Sequence, residues 1–217
     1  NLVKLRKQLG PQKIKLKKRQ GENMIQTAVK NSITDSCLTL KGVSWSQFES
    51  LEAAFESVGG IKFAYLDGIL EIMTVSPEHE ESKSTIGLLL EAYLRETGIR
   101  FYVKGGPTLG SKEQGARKEP DESYNLQTKK TIPDLAIEVI FTSGGIDKLQ
   151  LYKRLGIPEV WFWEDGVLSI YYLREEYEQV DRSELLPELD IALLVKYVTY
   201  FDQYDAVTEF IQALKEG

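Results

Sequence analysis

A single carboxylate, Glu138, interrupts the apolar run LAIEVIF, residues 135–141 of the segment PDLAIEVIF. Alternate side chains on both faces of this expected strand are apolar, which is typical of a central strand covered on both sides. Glu138 is the exception, and a buried carboxylate is costly unless a cation compensates its charge. Either a salt bridge at the end of the sheet or a bound metal ion would supply that cation.

Lys148 breaks the pattern of the next segment in the same way. An α-helix over 146–155 places polar side chains on one arc, namely Asp147, Gln150, Lys153 and Arg154. The opposite arc is apolar and consists of Leu149, Leu151, Tyr152 and Leu155. Lys148 lies near the middle of the apolar arc, so we expect its side chain to point back towards the Glu138 strand. The alternative is a lysine whose ammonium reaches past the core to water.

Asp121 is the second candidate carboxylate. It lies in EPDESYNL, residues 119–126, which we expect to be a strand adjacent to that of Glu138. An aspartate after a proline is otherwise a common turn residue. A second Pro-Asp pair ends in Asp134, but Asp134 and Glu138 are roughly 13 Å apart along one strand. That separation is too large for one hard cation whose ligands lie at about 2 Å.

Capping and turn signals predict the elements that must position these side chains. Ser44 and Gln47 form a capping box for one helix, and Ser76-Pro77 begins a second helix. Asp-Gly pairs at 67–68 and 165–166 predict two hairpins. The order of elements predicts an α/β fold with a mixed central sheet flanked by helices, two β-hairpins and a helical C-terminus from about residue 189.

The composition fits one globular domain preceded by a basic segment. Residues 1–22 hold eight Lys and Arg against one Glu, whereas the remainder holds 19 basic and 32 acidic residues. We expect a flexible arm over 1–23 and a single domain over 24–217. No apolar run approaches the roughly 18 residues of a membrane span. A single cysteine, Cys37, forms no internal disulfide, which favours a cytoplasmic protein.

The ordered set Asp121, Glu138 and Lys148 resembles the pattern of the PD-(D/E)XK nuclease superfamily. The stretches that are similar to its branch of small bacterial proteins called putative restriction endonucleases are LDGILEIM, SPEHE, EPDESYNL, PDLAIEV and TSGGIDKLQLYKRLGIPEVWFW. Together they cover most of residues 60–175. The resemblance implies a restriction-endonuclease-like fold for the domain and a nuclease activity. The sequence departs from the superfamily pattern at Ile140, where the superfamily has its lysine. The branch supplies its lysine from the next helix, and Lys148 matches that position.

Two carboxylates without soft ligands suit Mg²⁺ or Mn²⁺, whereas one cysteine and one histidine nearly exclude a zinc site built from Cys and His ligands. We expect Asp121 and Glu138 to hold the cation, helped by the Val139 carbonyl. Lys148 would orient the nucleophile or stabilise the transition state of phosphodiester hydrolysis. The resemblance adds His79 and Glu71 as accessory candidates, although a lone histidine is more often structural or exposed.

DNA is the expected partner, and its phosphates need cationic side chains. The candidates that precede or border the site are Lys104, Lys112, Arg117 and Lys118, with Lys129 and Lys130 beside them. Acidic neighbours such as Glu113 weaken this prediction, and so does the acidic body of the chain. Cutting both strands would favour a homodimer with two-fold symmetry, by analogy.

Two other functions are compatible with the same residues. A nuclease-like fold that binds nucleic acid or protein without cutting is favoured by the acidic body and the missing motif lysine. A glycoside hydrolase would use Asp121 and Glu138 as its carboxylate pair, but that chemistry needs one acid of raised pKa and no buried lysine between the two.

Overall fold

The computed structural model of this chain describes residues 35–141 and 144–216, so the predicted basic arm lies outside the described residues. The described part contains eleven strands and five helices. In chain order they are β1 Ser36–Lys41, α1 Trp45–Phe55, β2 Ile61–Leu66, β3 Ile69–Thr74, α2 Pro77–Glu96, β4 Phe101–Val103, β5 Leu109–Ser111, β6 Ala116–Lys118, β7 Glu122–Leu126, β8 Leu135–Ile140, α3 Lys148–Leu155, β9 Glu159–Glu164, β10 Val167–Leu173, β11 Tyr177–Val180, α4 Ile191–Val198 and α5 Gln203–Glu216. None of the helices in this part of the chain is long and apolar enough to cross a membrane.

The strands form two sheets. The mixed sheet has the order β11-β10-β9-β8-β7-β4, and its β8 and β9 are parallel while its other pairs are antiparallel. The antiparallel sheet has the order β1-β3-β2-β6-β5. The predicted mixed sheet flanked by helices is thereby confirmed, whereas a separate antiparallel sheet was not expected. Its strands β5 and β6 have only three residues each, too few for a visible alternation of polar and apolar side chains.

Helix ends follow the capping residues of the sequence. Ser44 and Gln47 form the predicted capping box of α1. The Ser76 hydroxyl accepts a hydrogen bond from the His79 amide at 3.2 Å, with Pro77 at the first helical position of α2. Asp147 caps α3 by accepting from the Gln150 amide at 3.1 Å. Helix α3 therefore begins at Lys148, two residues later than the apolar periodicity predicted.

Both predicted hairpins are confirmed. Strands β2 and β3 are joined at Asp67-Gly68, and β9 and β10 at Asp165-Gly166. All four residues have positive φ, between 45° and 86°, which is the two-residue turn that matches the twist of a hairpin. The predicted helical C-terminus is also confirmed, although it is divided into α4 and α5.

Strand β8 separates two parts of the core. Ile137 and Val139 pack in the larger cluster, beneath α2, α4 and α5. Ala136, on the opposite face, packs with Leu151 and Tyr152 of α3 and with apolar residues of the antiparallel sheet. Glu138 shares the Ala136 face. Its carboxylate is therefore directed towards the region enclosed by the two sheets and α3.

The mixed sheet contains another buried carboxylate, which has a structural explanation. Glu159, at the start of β9, has no exposed surface. It accepts hydrogen bonds from Trp161 Nε1 at 2.7 Å and Ser183 Oγ at 2.6 Å, and from the amides of Glu184 and Leu185 at 2.8 and 3.2 Å. Among the residues that the structure describes, these four donors compensate the charge and no cation pairs with it. Glu159 thereby fixes the segment before α4 to the sheet.

We expect Glu159→Gln to lower the free energy of unfolding by about 1–3 kcal/mol, because the amide NH₂ that replaces one carboxylate oxygen cannot accept the two hydrogen bonds made to that oxygen. Urea denaturation at neutral pH measures the change. Glu164→Gln, at the exposed end of the same strand, is the matched control and should stay within about 0.5 kcal/mol. Equal denaturation midpoints for the two variants would show that the hydrogen bonds of the replaced oxygen contribute nothing net.

Candidate active site

The three residues singled out by the sequence lie together. Asp121 directly precedes β7, Glu138 lies on the adjacent β8, and Lys148 is the first residue of α3. Asp121 Oδ2 accepts a hydrogen bond from the Val139 amide at 2.8 Å, which holds this carboxylate beside the residue that follows Glu138. Lys148 Nζ lies 4.0 Å from Glu138 Oε2, and its side chain is only 15% exposed. Lys148 therefore points inward as expected, while its catalytic role stays a prediction.

Glu138 is buried and contacts two further donors. Its Oε1 accepts a hydrogen bond from the Tyr152 hydroxyl, and its Oε2 lies 3.0 Å from Lys118 Nζ. Lys118 is 1% exposed, so this ion pair is withdrawn from water. Burial, and then the adjacent Glu138 carboxylate, raise the pKa of the Tyr152 hydroxyl well above its usual value, so that it stays a hydrogen-bond donor.

Asp121 is surrounded by cationic groups. The Lys62 ammonium forms an ion pair with Oδ1, and His79 Nε2 lies 3.1 Å from Oδ2. Burial alone would raise the pKa of Asp121, but His79, Lys62 and Lys118 together hold it well below its usual range. Burial alone would also lower the pKa of Lys62, and the Asp121 carboxylate outweighs that effect and raises it. Both groups are therefore charged at neutral pH.

His79 lies between two carboxylates. Its Nδ1 is 3.0 Å from Asp35 Oδ2, opposite the Nε2 contact with Asp121. Nε2 is close to Asp121 but is not aligned for a hydrogen bond. Burial would lower the pKa of His79, yet Asp121 and Asp35 raise it. This accessory candidate thus lies at the site beside Asp121, and its part in any reaction stays a prediction.

Glu71 has a different position from the other accessory candidate. Its side chain is buried on β3, and Oε1 accepts a hydrogen bond from the Ile146 amide at 2.6 Å. Oε2 has no hydrogen-bond partner among the described residues. A Cβ at Gly144 would lie 2.0 Å from Oε1, so the chain must pass this carboxylate with a glycine. Glu71 therefore fixes the connection that leads into α3 and so positions Lys148.

A small cavity lies between the carboxylates. Its volume is about 20 Å³, room for about one water-sized group. Both predicted metal ligands line it, with Lys62, Lys118 and Lys148 among their neighbours; the complete lining is Asp35, Lys62, Met73, Thr74, Val75, His79, Lys118, Asp121, Glu138, Val139, Phe141 and Lys148. Glu71 is not part of this lining. The cavity is therefore the place where the predicted chemistry would occur.

The donor set fits a hard divalent cation that keeps most of its waters. Within 35–141 and 144–216, no three Asp, Glu, His or Cys side chains are arranged to hold a metal ion together. Asp121 and Glu138 would supply two oxygen ligands, and Mg²⁺ commonly binds through one or two carboxylates with water in the other positions. One oxygen of Asp121 accepts from the Val139 amide, and one oxygen of Glu138 accepts from the Tyr152 hydroxyl. The other oxygen of each carboxylate faces a lysine ammonium. A cation fits if a lysine side chain withdraws.

The four residues predicted to contact phosphate have different surroundings in the structure. Lys118 is buried against Glu138, so it is not a surface cation. Arg117 forms an ion pair with Glu52 at 3.2 Å. Lys104 is half-buried, and its Nζ donates to a backbone carbonyl at 3.3 Å. Lys112 is exposed. Lys118 and Arg117 thus already pair with carboxylates from other segments of the chain, and phosphate contact by the four residues stays a prediction.

Sequence reasoning missed Lys62, Tyr152 and Asp35 at this site and gave Lys118 a different role, although a signal existed for Lys62 and Tyr152. Lys62 shares one face of β2 with Ala64 and Leu66, which lie in the core, so it interrupts an apolar face as Lys148 does. Tyr152 lies four residues after Lys148, on the same helical face. Lys118 and Asp35 show no comparable pattern; only the tertiary structure places them here.

We expect Lys118→Met to lower the free energy of unfolding by about 3–5 kcal/mol, because it leaves the buried Glu138 charge without its closest cation. Urea denaturation measures the loss. The double variant Lys118→Met/Glu138→Gln, which also removes the charge, should recover at least about 1 kcal/mol. Lys112→Met is the exposed control and should match the parent. A Lys118→Met protein as stable as that control would contradict the assigned ion pair.

Comparison with known proteins identifies the family of the chain. The model of the Uma2 family, described as putative restriction endonuclease, matches residues 45–198. A search among curated proteins gives no match. Among solved structures, the chain is similar to a putative nuclease belonging to DUF820 from Anabaena variabilis ATCC 29413, with 14% identity, a TM-score of 0.40, and coverage of 68% of this chain and 90% of that one. That likeness adds nothing to the assignment, which rests on the family match. The protein, with its buried acid pair inside the matched region, belongs to the Uma2 family of putative restriction endonucleases.

Proposed function

We propose that this chain is a metal-dependent endodeoxyribonuclease that hydrolyses phosphodiester bonds at the Asp121–Glu138 pair. One observation carries the proposal. Two buried carboxylates from adjacent strands and an inward lysine from the next helix surround a single small cavity. Such a costly arrangement of charge needs a reason, and a nuclease centre provides one. Family membership supports the same reaction class.

The residues of the site divide into ligands and groups that hold the ligands in place. Asp121 and Glu138 would bind Mg²⁺ or Mn²⁺, which supplies a Lewis acid that activates water and neutralises charge on the phosphate. The Val139 amide and His79 orient Asp121, and the Tyr152 hydroxyl orients Glu138. These contacts keep both carboxylates in one conformation before substrate arrives, which lowers the reorganisation needed for reaction.

Lys148 is the group that would act on the substrate itself. Its side chain lies at the cavity and is more exposed than that of Lys118, at 15% against 1%. An ammonium in that position would orient the attacking water or stabilise charge that develops on the phosphate. Hydrolysis then adds the water oxygen to phosphorus, breaks one P–O bond and transfers a proton to the leaving oxygen.

DNA is the proposed substrate, in keeping with the family's description as restriction endonucleases. The formal net charge of −6 means that the protein surface gives little general attraction for a polyanion. Binding would therefore depend on a local set of cations, such as the exposed Lys112 and the lysines at 129–130. A homodimer with two such sites stays a prediction.

We expect Lys148→Ala to slow Mn²⁺-dependent nicking of supercoiled plasmid by roughly 10²–10³-fold, because it removes one charge from the transition state. Gel analysis of plasmid over time, with and without Mn²⁺, measures the rate. Lys153→Ala is the matched control, since Lys153 lies on the same helix but pairs with Glu176 away from the cavity.

Asp121→Asn and Glu138→Gln should remove detectable nicking, because each takes away a charged ligand at almost unchanged volume. Retained cleavage in both variants would refute the proposed centre. Loss of cleavage in the Lys153 control as well would point to a damaged helix rather than to chemistry.

A binding module that does not cut is the second candidate, and one observation favours it. Three lysines already neutralise the two carboxylates, so the charge of the pair is balanced without a metal ion. No heat of Mn²⁺ binding in calorimetry, together with measurable DNA binding, would select this function. The glycoside hydrolase alternative has no support, because the pKa of Asp121 is lowered and lysines contact both acids.

A further inference from the structure

Lys62 reaches the site from the antiparallel sheet. It lies on the face of β2 that also carries the core residues Ala64 and Leu66, and its ammonium forms an ion pair with Asp121 Oδ1. Its side chain is 19% exposed, so the pair lies at the boundary between the cavity and solvent. Lys62 is neither a proposed metal ligand nor the lysine that would act on the substrate.

The two oxygens of Asp121 differ in how firmly their partners are held. Oδ2 accepts from the Val139 amide, which cannot leave without disrupting β8, and lies beside the buried His79. Oδ1 faces Lys62, whose long side chain can withdraw to water. Any cation that binds Asp121 through its accessible oxygen must therefore take the place of the Lys62 ammonium.

The lysines near Glu138 do not offer the same exchange. Lys118 is almost fully buried and remains beside Glu138 Oε2, so one positive charge stays in the site permanently. Lys148 is more distant from that oxygen, at 4.0 Å. Lys62 is thus the ammonium that both occupies a carboxylate oxygen closely and has access to solvent.

We propose that Lys62 is an internal counter-ion that competes with the divalent cation for Asp121, and so sets the metal affinity of the site. This inference rests on the proposed metal-dependent function. In the metal-free protein Lys62 compensates the buried charge of Asp121. Metal binding requires its displacement, which weakens the affinity and keeps the site metal-free when the divalent ion is scarce.

Removing the ammonium should strengthen metal binding. Lys62→Met keeps the length and apolar packing of the stem, and we expect its Mn²⁺ dissociation constant to fall roughly tenfold, since a partly buried ion pair no longer has to be broken. Isothermal titration calorimetry of the full chain with MnCl₂, without DNA, measures the constant. This readout is independent of cleavage.

Lys83→Met is the matched control. Lys83 has the same side-chain exposure of 19% and lies on the neighbouring α2, but its ammonium pairs with Glu80 and not with Asp121. Its loss changes the net charge near the site equally, so we expect the Mn²⁺ constant to change less than threefold. The double variant Lys62→Met/Asp121→Asn should lose the increase in Mn²⁺ affinity, because the competition acts through Asp121.

Three outcomes would overturn the inference. If the parent binds Mn²⁺ and Lys62→Met binds no more tightly, Lys62 does not compete, while the proposed function is unaffected. If Lys83→Met tightens Mn²⁺ binding as much as Lys62→Met does, the effect is a general change of the electrostatic field and not a competition for Asp121. If neither the parent nor Lys62→Met binds Mn²⁺ although both unfold cooperatively in urea, the metal site itself fails, and the inference with it.

Discussion

Burial of two carboxylates beside each other is the constraint on which the rest of this structure depends. Asp121 and Glu138 lie between two sheets, where an uncompensated charge is costly and two like charges repel. Lys62 pairs with Asp121 and Lys118 with Glu138, and His79 lies beside Asp121. These groups come from three different elements, so the site and the packing of the sheets stabilise one another.

The connection between the sheets places this charge network. The chain leaves the antiparallel sheet at Lys118, the last residue of β6, and enters the mixed sheet just after Asp121. Only residues 119 and 120 separate Lys118 from Asp121. Lys118 and Asp121 are therefore held near each other by covalent geometry, and the parallel pair β8–β9 then requires the crossover through α3 that carries Lys148. Glu71 at β3 fixes the start of that crossover by accepting from the Ile146 amide.

The missing motif lysine has a physical explanation in this arrangement. Ile140, where the superfamily has its lysine, is half-buried and packs against the cluster formed with α3. Cations reach Glu138 from other elements instead, from β6 and from the first residue of α3. For the proposed chemistry the position of a charge in space would matter, and different positions in the sequence can supply it.

The sequence by itself determined the features that depend on neighbouring residues. The Asp-Gly turns, the Ser44 and Ser76 caps, the central strand of Glu138 and the inward direction of Lys148 all follow from local periodicity and backbone preference, and all are found. Even there, Asp147 proved to be a cap rather than a helical residue, because periodicity does not report where the first hydrogen bond forms.

Only the tertiary structure decided which cations meet which carboxylates. Lys118 and Arg117 were both predicted as phosphate contacts, and local sequence could not show that they pair with Glu138 and Glu52, because those carboxylates lie on other elements. The pairing of Lys62 with Asp121 joins residues 59 positions apart, and that of Glu71 with Ile146 joins residues 75 apart. Local patterns show that a charge is buried; the partner that compensates it is fixed by the fold, because long-range sheet packing sets the distance between them.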